Sequence, residues 1–266
     1  MSLTAVYASR LRRVTDITRS SAMSVTVKAV LGYPLLAVLM GWPAPTPHYW
    51  QPLLNLRFSF AYLMGWPEGT LDYWQGRTYL AVVSGGSLLI LLYLVKNDPA
   101  LLRRRLRSGP FFEQRISQKI ISFFITTGWG GLLVVSIRDF REGWSHPPPI
   151  VEIIGNIAVA AGLFIIFLVL RENSFAAAAI QVEPGQKVIM TGPYSVVRHP
   201  MYTGLLIMFM GTPPALGSYW GLLVSLTLVP CFAWRLIDEE TFLTNKLPGY
   251  AEYREKVSAR LIPGVF

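Results

Sequence analysis

The 266 residues contain one cysteine, Cys231, and three scattered histidines, His48, His146 and His199. A single cysteine excludes an intramolecular disulfide and any multi-cysteine metal site. With the histidines so far apart, no metal centre is expected. Charge is scarce as well. Asp, Glu, Lys and Arg make up 15% of the chain, where soluble domains carry about 25%. A soluble dinucleotide fold has no foothold. The nearest glycine cluster, Gly128-Trp-Gly-Gly131, lies inside an apolar run and does not join a strand to a helix. In that setting its glycines predict close helix packing.

What fills the space is apolar sequence, 52% of the residues. About 20 helical residues cross a hydrocarbon core of roughly 30 Å, and a charge at the middle of such a span costs about 2.5–3.5 kcal/mol. Three runs meet this condition. Thr78–Val95 has no charge, Gln118–Ile137 carries Lys119 at its edge, and Ile150–Leu170 carries Glu152 at its edge. An earlier run, Ser24–Trp42, reads as a retained first span rather than a signal peptide. No small-x-small cleavage site follows it, and Pro43, Pro45 and Pro47 come next. Residues 43–77 read as a non-cytoplasmic loop with an interfacial piece, its Trp residues suited to the headgroup boundary. After Arg171 a polar stretch with turns at Pro184-Gly185 and Gly192-Pro193 leads into an apolar hairpin. Its arms are Tyr202–Leu216, kinked or broken by Pro213 and Pro214 near its end, and Tyr219–Trp234.

The fold expectation is therefore all-α: a polytopic integral membrane protein with about six transmembrane helices, a C-terminal helical hairpin and cytoplasmic catalytic segments. It divides into 1–77 (first helix and loop), 78–170 (membrane core) and 171–266 (catalytic region). With the amino terminus inside, every Lys and Arg except Arg57, Arg77, Arg138 and Arg141 falls on the cytoplasmic side. This follows the positive-inside rule and puts both termini in the cytoplasm. It also explains the net charge of +9 without nucleic acid. The basic cluster at 103–107 reads as a topology signal, with anionic membrane lipid as the second reading.

Polar and ionisable residues concentrate in two places that the hairpin brings to one face. One is Thr191–Gly204, containing Arg198 and His199. The other is Arg235–Glu240, where Arg235 and Glu239 share a helical face. Ionisable groups where a helix meets the membrane are functional candidates. Taken singly, each has a plainer reading: Arg198 as a snorkelling residue, Glu239 and Glu240 as a solvated face, His199-Pro200 as a helix start.

Taken together, the ordered set resembles the isoprenylcysteine carboxyl methyltransferase family, which is related to the phospholipid methyltransferases. The residues are Gly192-Pro-Tyr194, Arg198-His-Pro-x-Tyr202-x-Gly204, the Gly211–Gly217 turn, Arg235 with Glu239 and Glu240, Pro248-Gly-Tyr250-x-x-Tyr253 and Arg260-Leu-Ile-Pro263. Arg171-Glu-Asn-Ser-Phe175 with Gln181 resembles bacterial members, so a bacterial inner membrane is the expected location. The resemblance implies S-adenosylmethionine in a pocket under the hairpin. It implies cofactor contacts from Gln181, Gln186, Lys187, Val188, Ile189, Tyr194, Arg198, His199, Pro200, Met201, Tyr202, Glu239 and Glu240. Arg235 matches the substrate-side arginine and Glu239 the acidic cofactor ligand, and these two are the catalytic candidates.

These residue types suit methyl transfer to a lipid-like or prenylated small molecule. Displacement at a sulfonium methyl depends on alignment in a dry site. A carboxylate acceptor is already ionised and needs a cation such as Arg235 to hold it. An amine acceptor, as in phospholipid N-methylation, would need a proton acceptor, for which His199 and Glu240 are candidates. A sterol-type membrane reductase using NADPH is the rival enzyme class, and a non-catalytic lipid-binding protein is a further one.

Overall fold

The computed structural model describes residues 73–106, 113, 115–176 and 180–265. The expected first span at Ser24–Trp42 and nearly all of the 43–77 loop lie outside these residues. Regular structure among the described residues is helical: α1 Trp74–Asn97, α2 Pro99–Leu106, α3 Ile116–Glu142, α4 Pro149–Glu172, α5 Pro200–Ala215, α6 Trp220–Lys246 and α7 Tyr250–Lys256, with a 3-10 turn at Gly192–Ser195.

Helices α1, α3, α4 and α6 are long and apolar enough to cross a membrane. At 1.5 Å per residue, the 24 residues of α1 and of α4 exceed the hydrocarbon thickness. Their outer faces carry large apolar side chains, such as Leu89 and Leu92 on α1 and Ile154, Ile157 and Phe164 on α4. A soluble protein rarely displays such a contiguous apolar surface, and lipid accommodates it. Helix α5 has only 16 residues, short of a full crossing. Pro213 and Pro214 lie in its last turn, and the helix ends at Ala215, close to where the kink or break was expected. Pro213 lacks the N–H that would bond the Phe209 carbonyl, and Ser225 Oγ on α6 donates to that carbonyl instead, at 3.0 Å.

The local sequence explains the helix ends. Asp98 caps α2 by accepting the Leu101 N–H at 2.8 Å, with Pro99 at the first helical position. Helix α3 stops at Gly143, which is left-handed at φ 64°. His146-Pro-Pro-Pro then forms the connection into α4, whose first residue is Pro149. The α5–α6 turn is tied down from outside. Buried Asp139 on α3 accepts from Ser145 Oγ, from Ser218 Oγ at 2.6 Å and from the Trp220 N–H at 3.1 Å. That last donor is one of the orphan groups at the start of α6.

The tightest helix pair is α4 with α5, and glycines set its spacing. A Cβ at Gly162 would meet the Gly204 carbonyl and Met208. One at Gly155 would meet the Ala215 backbone, and one at Gly211 the Ala158 methyl. Small residues seven apart on both helices let the backbones touch, the usual solution where lipid offers no hydrophobic drive for association. The Gly128–Gly131 cluster contributes less than expected. A Cβ at Gly128 would strike Leu228 on α6, but Gly130 and Gly131 have nothing within 4 Å. One buried cluster of apolar side chains runs through α1 to α6, from Tyr79 and Leu101 to Phe209 and Phe232. The end of α1, α2, the start of α3, the end of α4, the start of α5 and the end of α6 thus meet at one end of the bundle.

Candidate active site

At that end lies a cavity of about 190 Å³. Its rim is built from the polar chain between α4 and α5. Gly185 makes the turn at φ 76°, and Gln186 closes it, its Oε1 accepting the Glu183 N–H at 2.9 Å. Gln181, Gln186, Lys187, Val188 and Ile189 all line the cavity.

Tyr194 reaches it from the 3-10 turn. Its hydroxyl accepts from Asn173 Nδ2 at 2.9 Å, and its carbonyl accepts the Tyr253 hydroxyl at 2.7 Å. Burial pushes its phenol up to about 12 against the opposing Asn173 hydrogen bond, so Tyr194 stays a neutral donor at physiological pH.

The start of α5 supplies the next wall. Arg198, His199, Pro200, Met201 and Tyr202 all line the cavity. They are fixed by the carboxy-terminal segment, since the Arg198 and His199 N–H groups donate to the Ala259 and Arg260 carbonyls at 2.9 and 3.0 Å. Glu240 stands apart. It does not line the cavity but faces that same segment. Its Oε1 lies 2.8 Å from Arg198 Nε and 3.2 Å from His199 Nε2, and its Oε2 accepts from Arg260 Nε at 3.1 Å. Glu240 thus holds three basic groups around the base of the site and, unlike the other residues expected to contact a cofactor, is not part of the cavity lining. Arg198 Nη1 also donates to the Arg254 and Val257 carbonyls.

Arg235 and Glu239 complete the cavity from α6, one turn apart, with Tyr202 between them. The Tyr202 hydroxyl accepts from Arg235 Nε at 3.0 Å and donates to Glu239 Oε2. Glu239 lines the cavity, accepts from the Tyr202 hydroxyl and feels the charge of Arg235 one turn away, and its carboxylate suits a positively charged ligand group. The Arg235 guanidinium is heavily engaged. Nη1 donates to Gln118 Oε1 and Ser122 Oγ, both at 2.8 Å, and Nη2 meets Glu113 Oε1 at 2.7 Å. Gln118 is itself held, its Nε2 donating to Asp238, which also pairs with Arg115 at 2.6 Å.

Several of these residues were not singled out from the sequence. Asn173 and Arg105 line the cavity, and Glu113, Gln118 and Ser122 surround Arg235. Arg105 looked like one of a run of topology-setting arginines. In the structure Arg103 points outward, whereas Arg105 is 3% exposed and donates to the Ala176 carbonyl at 2.8 Å. Burial lowers its pKa to about 10, which still leaves it charged at neutral pH. The one available signal for Glu113 was an acidic residue in an otherwise basic connection.

The lining fits S-adenosylmethionine in chemical type. Glu239 suits the cofactor's cationic end, Arg105 and Lys187 suit a carboxylate, and the faces of Tyr194 and Tyr202 suit a purine. Ile125, Leu205 and Phe232, from α3, α5 and α6, give the same cavity an apolar wall.

Residues 150–249 match the family model described as phospholipid methyltransferase. Over 72 residues the chain is 39% identical to Protein-S-isoprenylcysteine O-methyltransferase of Schizosaccharomyces pombe. The stretch covers 26% of this chain and 30% of that protein, so the chain spans under a third of the relative it matches. The cavity-bearing part of the chain is therefore similar to the methyltransferases of the phospholipid and isoprenylcysteine carboxyl type.

Proposed function

We propose that this chain is a membrane methyltransferase that uses S-adenosylmethionine to methylate an amphipathic, lipid-like acceptor at the cytoplasmic face, with a carboxylate as the preferred acceptor group. The observation that carries the reading is the convergence on one cavity of Glu239, Tyr202 and Arg235 with an apolar wall beside them. The activity named for the Schizosaccharomyces pombe relative, O-methylation at an isoprenylcysteine, supports an acceptor that joins a carboxylate to a hydrocarbon chain.

S-adenosylmethionine supplies a methyl group made electrophilic by its sulfonium, and transfer leaves a neutral thioether. The protein's part is alignment and dryness. Glu239 draws in the cationic end of the cofactor. Arg235 orients the acceptor, with Tyr202 fixing the spacing between the two. The wall of Ile125, Leu205 and Phe232 takes the acceptor's chain and keeps water out. A carboxylate acceptor needs no base.

A second reading, amine N-methylation, is favoured by the phospholipid methyltransferase match and by the His199–Glu240 pair at 3.2 Å. His199 lines the cavity, and backed by a carboxylate it can accept the amine's proton.

The deciding experiment is methyl transfer from radiolabelled S-adenosylmethionine into a mixture of total lipid and prenyl thiols, with mass identification of the product. A base-labile label supports the ester, a base-stable one the N-methyl product. Binding of NADPH with no binding of S-adenosylhomocysteine would overturn both in favour of a reductase.

A further inference from the structure

Arg235 already carries a carboxylate. Glu113, from the connection between α2 and α3, is 3% exposed. Its Oε1 lies 2.7 Å from Arg235 Nη2, and its Oε2 accepts the Ile180 N–H at 3.2 Å. The other described partners of the guanidinium, Gln118, Ser122 and Tyr202, are neutral. Among the described residues Glu113 is the one carboxylate hydrogen-bonded to it. A buried ion pair at this distance leaves little net positive charge on that wall for an incoming anion. A second carboxylate on the same guanidinium would crowd two like charges together, which disfavours ionisation of one of them.

An acceptor carboxylate therefore gains a full ionic contact with Arg235 only by exchanging with Glu113. We propose that Glu113 is a specificity-determining residue of the acceptor side: it occupies Arg235 in place of an acceptor's carboxylate and sets the threshold an anionic amphiphile must exceed. The proposal rests on the reading of this cavity as the acceptor site. Its consequence is selective. The affinity of a carboxylate is reduced by the fraction of molecules in which Arg235 is held by Glu113, whereas a neutral headgroup, which has no need of the ion pair, is unaffected. The adjoining apolar wall makes the relevant ligand a single-chain amphiphile rather than a small anion.

The test uses the full chain in detergent, with dodecanoate as the anionic probe and dodecanol as the neutral control, titrated by calorimetry into wild type and Glu113→Gln. Glutamine keeps the shape but has one carbonyl oxygen where Glu113 uses two, so it can accept from Arg235 or from the Ile180 N–H but not both; it removes the charge and one of these hydrogen bonds. Dodecanoate should bind roughly tenfold tighter to Glu113→Gln, with dodecanol unchanged. Equal or weaker dodecanoate binding in a folded Glu113→Gln protein overturns the proposal. If that variant does not fold, Glu113→Asp, which keeps the charge on a shorter stem, should tighten dodecanoate by a smaller factor, and wild-type affinity there is the overturning result. S-adenosylhomocysteine binding on the same samples reports the cofactor half separately. Its absence would defeat the methyltransferase reading while the dodecanoate comparison still decides the role of Glu113.

Discussion

The Tyr202 hydroxyl accepts the Nε–H of Arg235 at 3.0 Å. The same hydroxyl donates to Glu239, so the two charged residues of α6 are coupled through a side chain of α5 rather than by direct contact. The proposed acceptor-side cation and cofactor-side anion are held at a spacing that neither helix sets alone.

Tyr202→Phe removes both links while leaving the ring. Hydrogen bonds to charged groups are each worth about 1.5–3 kcal/mol; if one of the two is realised in the transition state, methyl transfer should fall roughly 10–100-fold in kcat/KM. Steady-state assays against S-adenosylmethionine and acceptor would check this. Activity within twofold of wild type would mean the bridge is not used.

Truncating Glu113 to Ala leaves the Arg235 charge buried without its described carboxylate. Loss of one partner of a buried pair costs about 3–5 kcal/mol. The Glu113→Ala protein should therefore unfold at markedly lower temperature or denaturant, and the Glu113→Gln protein, which also loses the charge but keeps one acceptor oxygen at the site, should fall between Ala and wild type. Thermal unfolding of the three proteins in the same detergent tests the order, and an Ala variant as stable as wild type contradicts it.

The α4–α5 contact leaves no room for a side chain at Gly162, where a Cβ would meet the Gly204 carbonyl. Gly162→Leu should cost about 1–3 kcal/mol or more through forced separation of the helices. It should also weaken cofactor binding, since Tyr202 rides on α5. Gly130→Leu faces open space and should be nearly neutral. Similar stability losses in the two variants would show that the glycine contact does not set the spacing.

Tyr194 gives a pH-dependent stability with a defined sign. Its phenol is raised by burial from the ordinary 10.0 to about 12. The unfolded chain therefore loses this proton first as pH rises, and stability present below pH 10 is lost between about pH 10 and 12. Tyr194→Phe should flatten the alkaline limb of stability against pH. An identical limb in the variant would place the titration elsewhere.

Much of the membrane architecture is legible in the sequence. Thr78–Val95, Gln118–Ile137 and Ile150–Leu170 each fall within an observed helix, because a charge inside lipid is costly enough to write the span boundaries into composition. The expected arms Tyr202–Leu216 and Tyr219–Trp234 overlap α5 and α6, and α5 ends at Ala215, beside the Pro213 and Pro214 at which a kink or break was expected. The glycine reading was only partly met. Gly128 packs, but Gly130 and Gly131 do not, since whether a helix face meets another helix or lipid is not a local property.

The sequence by itself determined where the chain can cross a membrane, and it carried the ordered motif from Gly192 to Pro263 in which the candidate site was found. Both are local: hydropathy acts residue by residue, and motif residues keep their spacing. Only the tertiary structure decided that Glu240, itself outside the cavity lining, pairs with Arg198, His199 and Arg260, that Arg105 lines the cavity, and that Glu113 reaches Arg235 from 122 positions away. Ion pairs and hydrogen bonds in a low-dielectric interior are short-ranged in space and indifferent to distance along the chain, so their partners emerge only once the helices have packed.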